Sequence, residues 1–257
     1  MTEVAARTAD AVEQRLQAVG TPERAAHERQ YLKSALEHVG ATVPHVRREA
    51  KRAATEMRSR GELVALVEAL WTHPVYERRT CAAFLLHARV DLLDSDDVSL
   101  VERLVRDSRT WALVDVLAGD VLGELLVRLP DAMHQVDAWA SDDDFWVRRA
   151  ALLSQLKPLK SGVPFARFGR YADAMLDERE FFVRKAIGWV LRETGKQRPD
   201  QVVQLAPASR TPRIGGDAAR GGEVPVARAT RRAAGGTSGP RECEGHPMTL
   251  QEPRRPT

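Results

Sequence analysis

The chain has 257 residues, 43% of them hydrophobic, a formal net charge of +3 and two cysteines. That apolar content supports a substantial core, and the cysteines exclude a disulfide framework, because Cys81 falls in a helical pattern and Cys243 in a Gly/Pro-rich stretch. No apolar run approaches a membrane span and the N-terminus lacks the basic-then-apolar order of a signal peptide, so a soluble cytoplasmic protein with no membrane partner is expected.

In chain order, helical periodicity predicts helices over 8–19, 21–36, 43–58, 63–71, 75–89, 95–106, 110–129, 130–140, 144–156, 164–176 and 180–194. No segment reads as a strand. The breaks carry helix starters and caps: Thr21-Pro22, His73-Pro74, Pro130-Asp131 and the acidic run Ser141 to Asp144. Short connections between helices of about three turns make antiparallel pairs. Units of roughly forty residues recur, each with a second helix rich in arginine and alanine: VRREAKRAA at Val46, YERRTCAAFLL at Tyr76, WVRRAALLSQL at Trp146 and FVRKAIGWVL at Phe182. The fold class expected is all-α, a HEAT-like helical-repeat solenoid over 1–206. Its second helices line a concave side, and the doublets they carry, among them Arg47 and Arg48, make a basic groove or a set of ordinary solvated faces.

The remainder, 207–257, separates by composition, with eight of the 17 glycines and seven of the 14 prolines. Such a stretch cannot offset its ordering entropy and is expected to be disordered. It reads either as a basic nucleic-acid arm or as a solvated tail. It also holds nine arginines against five acidic residues, which leaves 30 basic and 31 acidic residues in 1–206. The body is thus close to neutral, and an anionic partner must be held by a local basic surface.

Three residues depart from helical patterning. Val183, Ala186, Ile187, Val190 and Leu191 form the apolar face of their helix, but Trp189 projects roughly 130° from its centre, beside Lys185 and Arg192. It packs on a neighbouring helix or meets a partner. Asp115 lies one turn from Trp111 in an apolar stripe that continues to Ala118 and Leu122, where a lone carboxylate is expensive to ionise. Arg148 stands at the edge of its helix's apolar stripe and Arg149 falls inside it, among Phe145, Leu152, Leu153 and Leu156. Asp115 and Arg149 are then either a buried salt bridge between repeats or a carboxylate and phosphate-gripping arginine at a cleft mouth. The seven histidines show no metal-ligand spacing; His38 and His45 have no cysteine or carboxylate at a short fixed offset, so no metal or other cofactor is expected.

The segments YLK at Tyr31, WALVD at Trp111, FWVRRAALLSQLK at Phe145 and EFFVRKAIGWVLRE at Glu180 resemble the bacterial AlkD-type DNA alkylation repair glycosylases, from about Glu23 to Leu205. The resemblance implies a solenoid that wraps double-stranded DNA and hydrolyses the N-glycosidic bond of cationic alkylpurines such as 3-methyladenine and 7-methylguanine. It implies a monomer without cofactor, nucleoid-associated when bound to DNA. Two tryptophans and an aspartate line the lesion in that family and match Trp111, Trp189 and Asp115; an arginine before paired alanines matches Arg149, and an N-terminal tyrosine matches Tyr31. Arg47, Arg48, Arg148, Lys185 and Arg192 are the remaining candidate DNA contacts. Thr42 departs from the longer polar side chain of relatives, and after Leu205 this chain lacks their final helical segment.

The residue types suit that chemistry. A cationic purine already leaves readily, so what is needed is a carboxylate to stabilise an oxocarbenium-like sugar and orient water. Indole faces favour cations. A non-catalytic HEAT-like DNA-binding scaffold is the alternative reading, and a helical protein-binding adaptor, which predicts an apolar concave face, is a third. The compositional boundary predicts that limited proteolysis trims 207–257 and leaves the body intact; a protease-resistant 207–257 overturns the division.

Overall fold

A computed structural model of the chain describes residues 2–205; the expected tail, 207–257, lies outside the described residues. The described chain is helical throughout: α1 (Glu3–Gln17), α2 (Pro22–Leu32), α3 (Val43–Ala54), α4 (Arg60–Trp71), α5 (Tyr76–Ala88), α6 (Asp97–Ser108), α7 (Trp111–Asp115), α8 (Gly123–Arg128), α9 (Met133–Asp137), α10 (Phe145–Leu153), α11 (Leu156–Lys160), α12 (Ala166–Ala174), α13 (Phe181–Gly195) and α14 (Pro199–Leu205). Among the described residues there is no strand, only a single parallel bridge between Glu37 and Val75 that pins the α2–α3 loop to the start of α5. The all-α helical-repeat solenoid expected from periodicity is the fold observed.

Side-chain caps set four of the helix starts. The side chains of Thr2, Thr21, Ser59 and Asp144 accept hydrogen bonds from the backbone N–H groups of Ala5, Arg24, Glu62 and Trp146. Thr2 therefore starts α1 five residues before the expected helix. Helix 21–36 stops early, because Lys33 turns into the left-handed region at φ 48°. The expected helix 130–140 is a short α9 flanked by 3-10 turns, and 144–156 breaks after Leu153. Helix α14 has no counterpart among the expected helices. At Gly40 the chain takes φ 80°, and a Cβ would lie 2.2 Å from the Thr21 carbonyl oxygen, so only glycine lets the α2–α3 loop close on the start of α2.

Successive second helices make an inner row. Helix α3 packs on α5, α5 on the turn that follows α7, α10 on both α7 and that turn, and α13 on α10. Helices α1 and α4 pair behind α3 and α5. Leucine, valine and alanine fill the space between rows, with Leu63, Leu66, Leu70, Leu85, Leu104, Leu113, Leu117 and Leu122 fully buried.

Polar clasps join one repeat to the next at nearly constant spacing. Arg15 bonds Glu49, Arg60 bonds Asp97, Trp71 bonds Asp107, Arg106 bonds Asp142, Asp115 accepts from Arg149, and Tyr171 bonds Asp137, at separations of 34, 37, 36, 36, 34 and 34 residues. The repeat is thus somewhat shorter than the forty residues suggested by the sequence pattern.

One expected basic doublet is not part of a groove. Arg78 is 2% exposed and donates to the carbonyls of Ala69 (2.8 Å) and Leu70 (3.3 Å), to Asp10 and to Glu13. Arg79 is also buried, donates to the Asp107 carbonyl at 2.8 Å and stands 5.1 Å from the Trp71 ring. Both face between helices because the α5 face that carries them is covered by neighbouring helices. Removing Arg78 strands two carbonyls and a half-covered carboxylate. Arg78→Ala is expected to lower unfolding free energy by about 3 kcal/mol in urea denaturation, whereas Arg48→Ala, at an exposed position, changes it by less than about 0.5 kcal/mol.

Candidate nucleic-acid interface and cleft

The segment from Trp111 to Arg128 is one rod with an irregular middle. Helix α7 runs for five residues, the chain widens into a π-type turn over Val116–Leu122, and α8 completes the rod. Asp115 is the last residue before the widening, a local distortion of helices that is frequent at functional sites. Lys157 donates to the Asp120 carbonyl within that turn at 3.1 Å and to Glu124 at 3.0 Å. It also lies 3.4 Å from His87, whose proton affinity is lowered by burial and then by the Lys157 charge. Sequence reading assigned Lys157 no role. Its signal was weak, since a lysine at the end of a helical pattern is ordinary.

Asp115 and Arg149 meet. Arg149 is buried and grips the carboxylate with both arms, Nε to Oδ1 at 2.8 Å and Nη2 to Oδ2 at 2.9 Å. Its remaining arm donates to the carbonyl of Phe182 on α13, and the guanidinium carbon lies 5.9 Å from the Phe182 ring centroid. One side chain therefore joins α7, α10 and α13. Asp115 keeps 17% of its side chain exposed, so it is shielded but reachable. Burial pushes its pKa above the ordinary carboxylate value; the Arg149 charge and hydrogen bonds pull it down, Asp120 adds repulsion, and the net direction is upward.

Trp111 opens α7 one turn before Asp115, half-buried against the core. The Tyr31 ring meets it edge-on, centroids 6.1 Å apart and planes at 78°, while Tyr31 itself is 60% exposed. These two aromatics come from segments eighty residues apart in the chain, a contact invisible to any helical wheel. Trp189 is half-buried and packed against the core. It lies two turns after Phe182 on the same side of α13, the side whose first turn is held by Arg149. The packed reading of Trp189 is what the contacts show, with part of the ring left exposed.

The cations divide into two groups. Arg148 donates to Glu178 at 2.8 Å and to the carbonyls of Asp142 and Asp143 at 2.6 and 2.9 Å, so its guanidinium braces the loop before α10. Arg47 lies over the Phe84 ring at 4.2 Å, its pKa lowered by burial. Arg48, Lys185 and Arg192 are exposed; Lys185 stands 5.2 Å from the exposed Phe181 ring, and Arg192 is 3.9 Å from its neighbour Glu193. Thr42 bonds His45 at 3.0 Å within its own helix start. No His/Cys/Asp/Glu group with metal-ligand geometry occurs in this cleft among the described residues.

The family profile described as DNA alkylation repair enzyme matches residues 12–207. The chain belongs to the DNA alkylation repair enzyme family. Among solved structures, a predicted DNA alkylation repair enzyme from Enterococcus faecalis is similar at 24% identity and a TM-score of 0.67, over 73% of this chain and 88% of that one. AlkD2 from Streptococcus mutans is similar at 20% identity and a TM-score of 0.51, over 71% of this chain and 86% of that one. At these identities the likeness is one of fold. Comparison with curated protein sequences finds no match. Family membership makes DNA the partner class and repair the process, and no helix among the described residues is long and apolar enough to cross a membrane.

The raised pKa of Asp115 has a consequence for stability. A carboxylate that binds its proton more tightly folded than unfolded lowers stability as pH rises from the ordinary value, about 3.9, through the folded one. Relative to its protonated form, ionised Asp115 costs the fold stability at neutral pH, while it supplies the charge that pairs the buried Arg149. Asp115→Asn keeps one acceptor oxygen for Arg149 but removes the charge that balances it, and is expected to melt below wild type at pH 7.5 while remaining folded; Arg149→Met, which strands the buried carboxylate, is expected to lose about 3 kcal/mol and regain part of it as the pH falls and Asp115 protonates. Thermal melts of the three proteins between pH 4.5 and 8 check both signs.

Proposed function

We propose that the protein is a monofunctional DNA glycosylase that hydrolyses the N-glycosidic bond of cationic alkylated purines, 3-methyladenine and 7-methylguanine, in duplex DNA. The observation that carries this reading is the reachable carboxylate of Asp115, held by two hydrogen bonds from Arg149 one turn from the Trp111 ring. A scaffold needs from this pair only the register it gives the helices, and not that the carboxylate stay reachable beside an indole; an enzyme gains a charge fixed in advance of the reaction.

Each residue then has a role. The alkylated base carries a positive charge and departs without an added proton, and the electron pair of the glycosidic bond leaves with it as the neutral purine. The sugar becomes oxocarbenium-like. The Asp115 carboxylate stabilises that cation and orients the water that attacks it, accepting a hydrogen bond from the water. Its raised proton affinity makes it a better acceptor for that water. Arg149 is a positioning residue, since its donors are spent on Asp115 and Phe182. Trp111 and Trp189 cradle the cationic nucleotide, each face worth about 0.5–2 kcal/mol, and Tyr31 steadies Trp111. Lys185, Arg192, Arg48 and Arg47 hold phosphates, while Arg148 keeps the loop before α10 in place. The body, 1–206, carries the activity as a monomer, and the tail, 207–257, is dispensable for it.

Asp115→Asn is expected to fold and bind duplex DNA normally while single-turnover excision of 7-methylguanine falls a hundred- to thousandfold, the usual effect of losing one transition-state charge interaction of about 2.7–4 kcal/mol. Trp111→Ala and Trp189→Ala lose less singly and need not add, because they share one cradle. The wild-type rate is expected to fall at acid pH with a midpoint above the ordinary carboxylate value, a limb that Asp115→Asn lacks. A well-folded Asp115→Asn protein that excises at the wild-type rate leaves the scaffold reading standing.

A further inference from the structure

Helix α2 is held with few apolar contacts. Of its eleven residues only Leu32 is buried, so the usual amphipathic reason for a helix to stay docked is weak. Yet α2 carries Tyr31, the ring that meets Trp111. What lies beneath α2 is a buried polar cluster in which both ring nitrogens of His38 and one oxygen of Glu28 have no hydrogen-bond partner.

The His38 side chain, in the α2–α3 loop, is 1% exposed, and neither ring nitrogen has a hydrogen-bond partner. Its plane is fixed by stacking on Tyr76, with ring centroids 4.7 Å apart and planes at 17°, so its nitrogens can turn only edgewise. Nδ1 stands 3.9 Å from Oε2 of Glu28 on α2, too far for a hydrogen bond, and that oxygen is also buried and unpartnered. The other Glu28 oxygen faces Arg24 at 3.5 Å. Glu77 on α5 approaches from below, fully buried. Its carboxylate accepts from the backbone N–H groups of Val39 and Gly40 at 2.7 to 3.2 Å. Burial raises its proton affinity, those N–H groups oppose the shift and the His38 charge opposes it least. One donor atom from each of Glu28, His38 and Glu77 lies within 4.8 Å of the others.

Two shielded carboxylates and an imidazole with both nitrogens idle make a costly arrangement without a cation between them. We infer that Glu28, His38 and Glu77 bind a divalent transition-metal ion of the Zn2+ class, which clasps α2 and the α2–α3 loop to α5. One imidazole nitrogen and two carboxylate oxygens are a donor set that Zn2+ accepts, with water completing its coordination. The ion supplies the positive charge that Glu77 lacks. The Gly40 turn that only glycine can make, and the bridge of Glu37 to Val75, bring His38 to this point. A cleft of about 530 Å3 lined by Gly20, Pro22, Ala26, Arg29 and His38 gives the ion a way in. The three ligands are 10 and 39 residues apart in succession, which is why no short spacing announced them. The site is separate from Asp115 and does not depend on the glycosylase reading.

Full-length protein stripped with a chelator and dialysed is titrated with Zn2+ by calorimetry, and with Co2+ by visible absorption. Expected are one equivalent bound, a melting temperature raised by Zn2+, and a Co2+ spectrum with nitrogen and oxygen ligation and no thiolate band, which separates this site from Cys81 or Cys243. His38→Phe keeps the stack on Tyr76 and Glu28→Gln keeps the shape of its side chain. Each is expected to weaken Zn2+ binding more than about tenfold, since loss of even an outer-shell partner costs metal sites about 10–100-fold, with helicity by circular dichroism unchanged. The inference is overturned if the wild-type protein takes up no stoichiometric Zn2+, or if either folded variant binds it as tightly as wild type.

Discussion

Everything in the cleft depends on where the Arg149 guanidinium points. Its three nitrogens engage the Asp115 carboxylate at the end of α7 and the Phe182 carbonyl at the start of α13, from a position on α10. An arginine buried without those partners would destabilise the fold, so the pair forces three consecutive inner helices into register. The direction of the Asp115 pKa indicates that this arrangement is not optimised for stability. A carboxylate better solvated or more fully paired would sit lower. The protein instead keeps a charge shielded and held in place by Arg149.

The same device recurs along the chain with other members. Arg15 with Glu49, Arg60 with Asp97, Arg106 with Asp142 and Tyr171 with Asp137 each tie one repeat to its successor over 34 to 37 residues. Helical repeats bury apolar faces against neighbours that look alike, so hydrophobic packing alone leaves the register between repeats loosely specified. Charged clasps remove the ambiguity, because a slip of one turn leaves an ion without its partner. The arginine-rich second helices thus serve two purposes. Arg78, Arg79, Arg148 and Arg149 find partners within the fold, while Arg48, Lys185 and Arg192 are exposed.

The N-terminal end of the cleft follows a different logic. Helix α2 has little apolar face, and its position rests on backbone bonds at Gly40, the Glu37 to Val75 bridge and the polar cluster under it. Tyr31 and Trp111 meet only if that cluster holds. The two rings that meet there are therefore supported by unlike means, Trp111 by a packed helix and Tyr31 by a clasped loop.

Much was legible in the residues themselves. The 3.6-residue apolar period announces an all-α chain, and Asp115 and Arg149 stand out because each puts a charge into an apolar stripe, which calls for a compensating partner; the structure shows that they meet. Tertiary structure alone decided the rest. It determined which of the doublets are covered, Arg78 and Arg79 wholly and Arg149 beside the partly covered Arg148, because a wheel gives the face of a helix but not whether a neighbour covers it. It brought Tyr31 onto Trp111 and His38 between Glu28 and Glu77 by the closing of one loop. It introduced the π-type turn after Asp115, which alters every angular position computed on the assumption of a regular helix beyond it. Local periodicity is written in neighbouring residues, whereas burial and convergence depend on chain segments that meet only after the repeats have stacked.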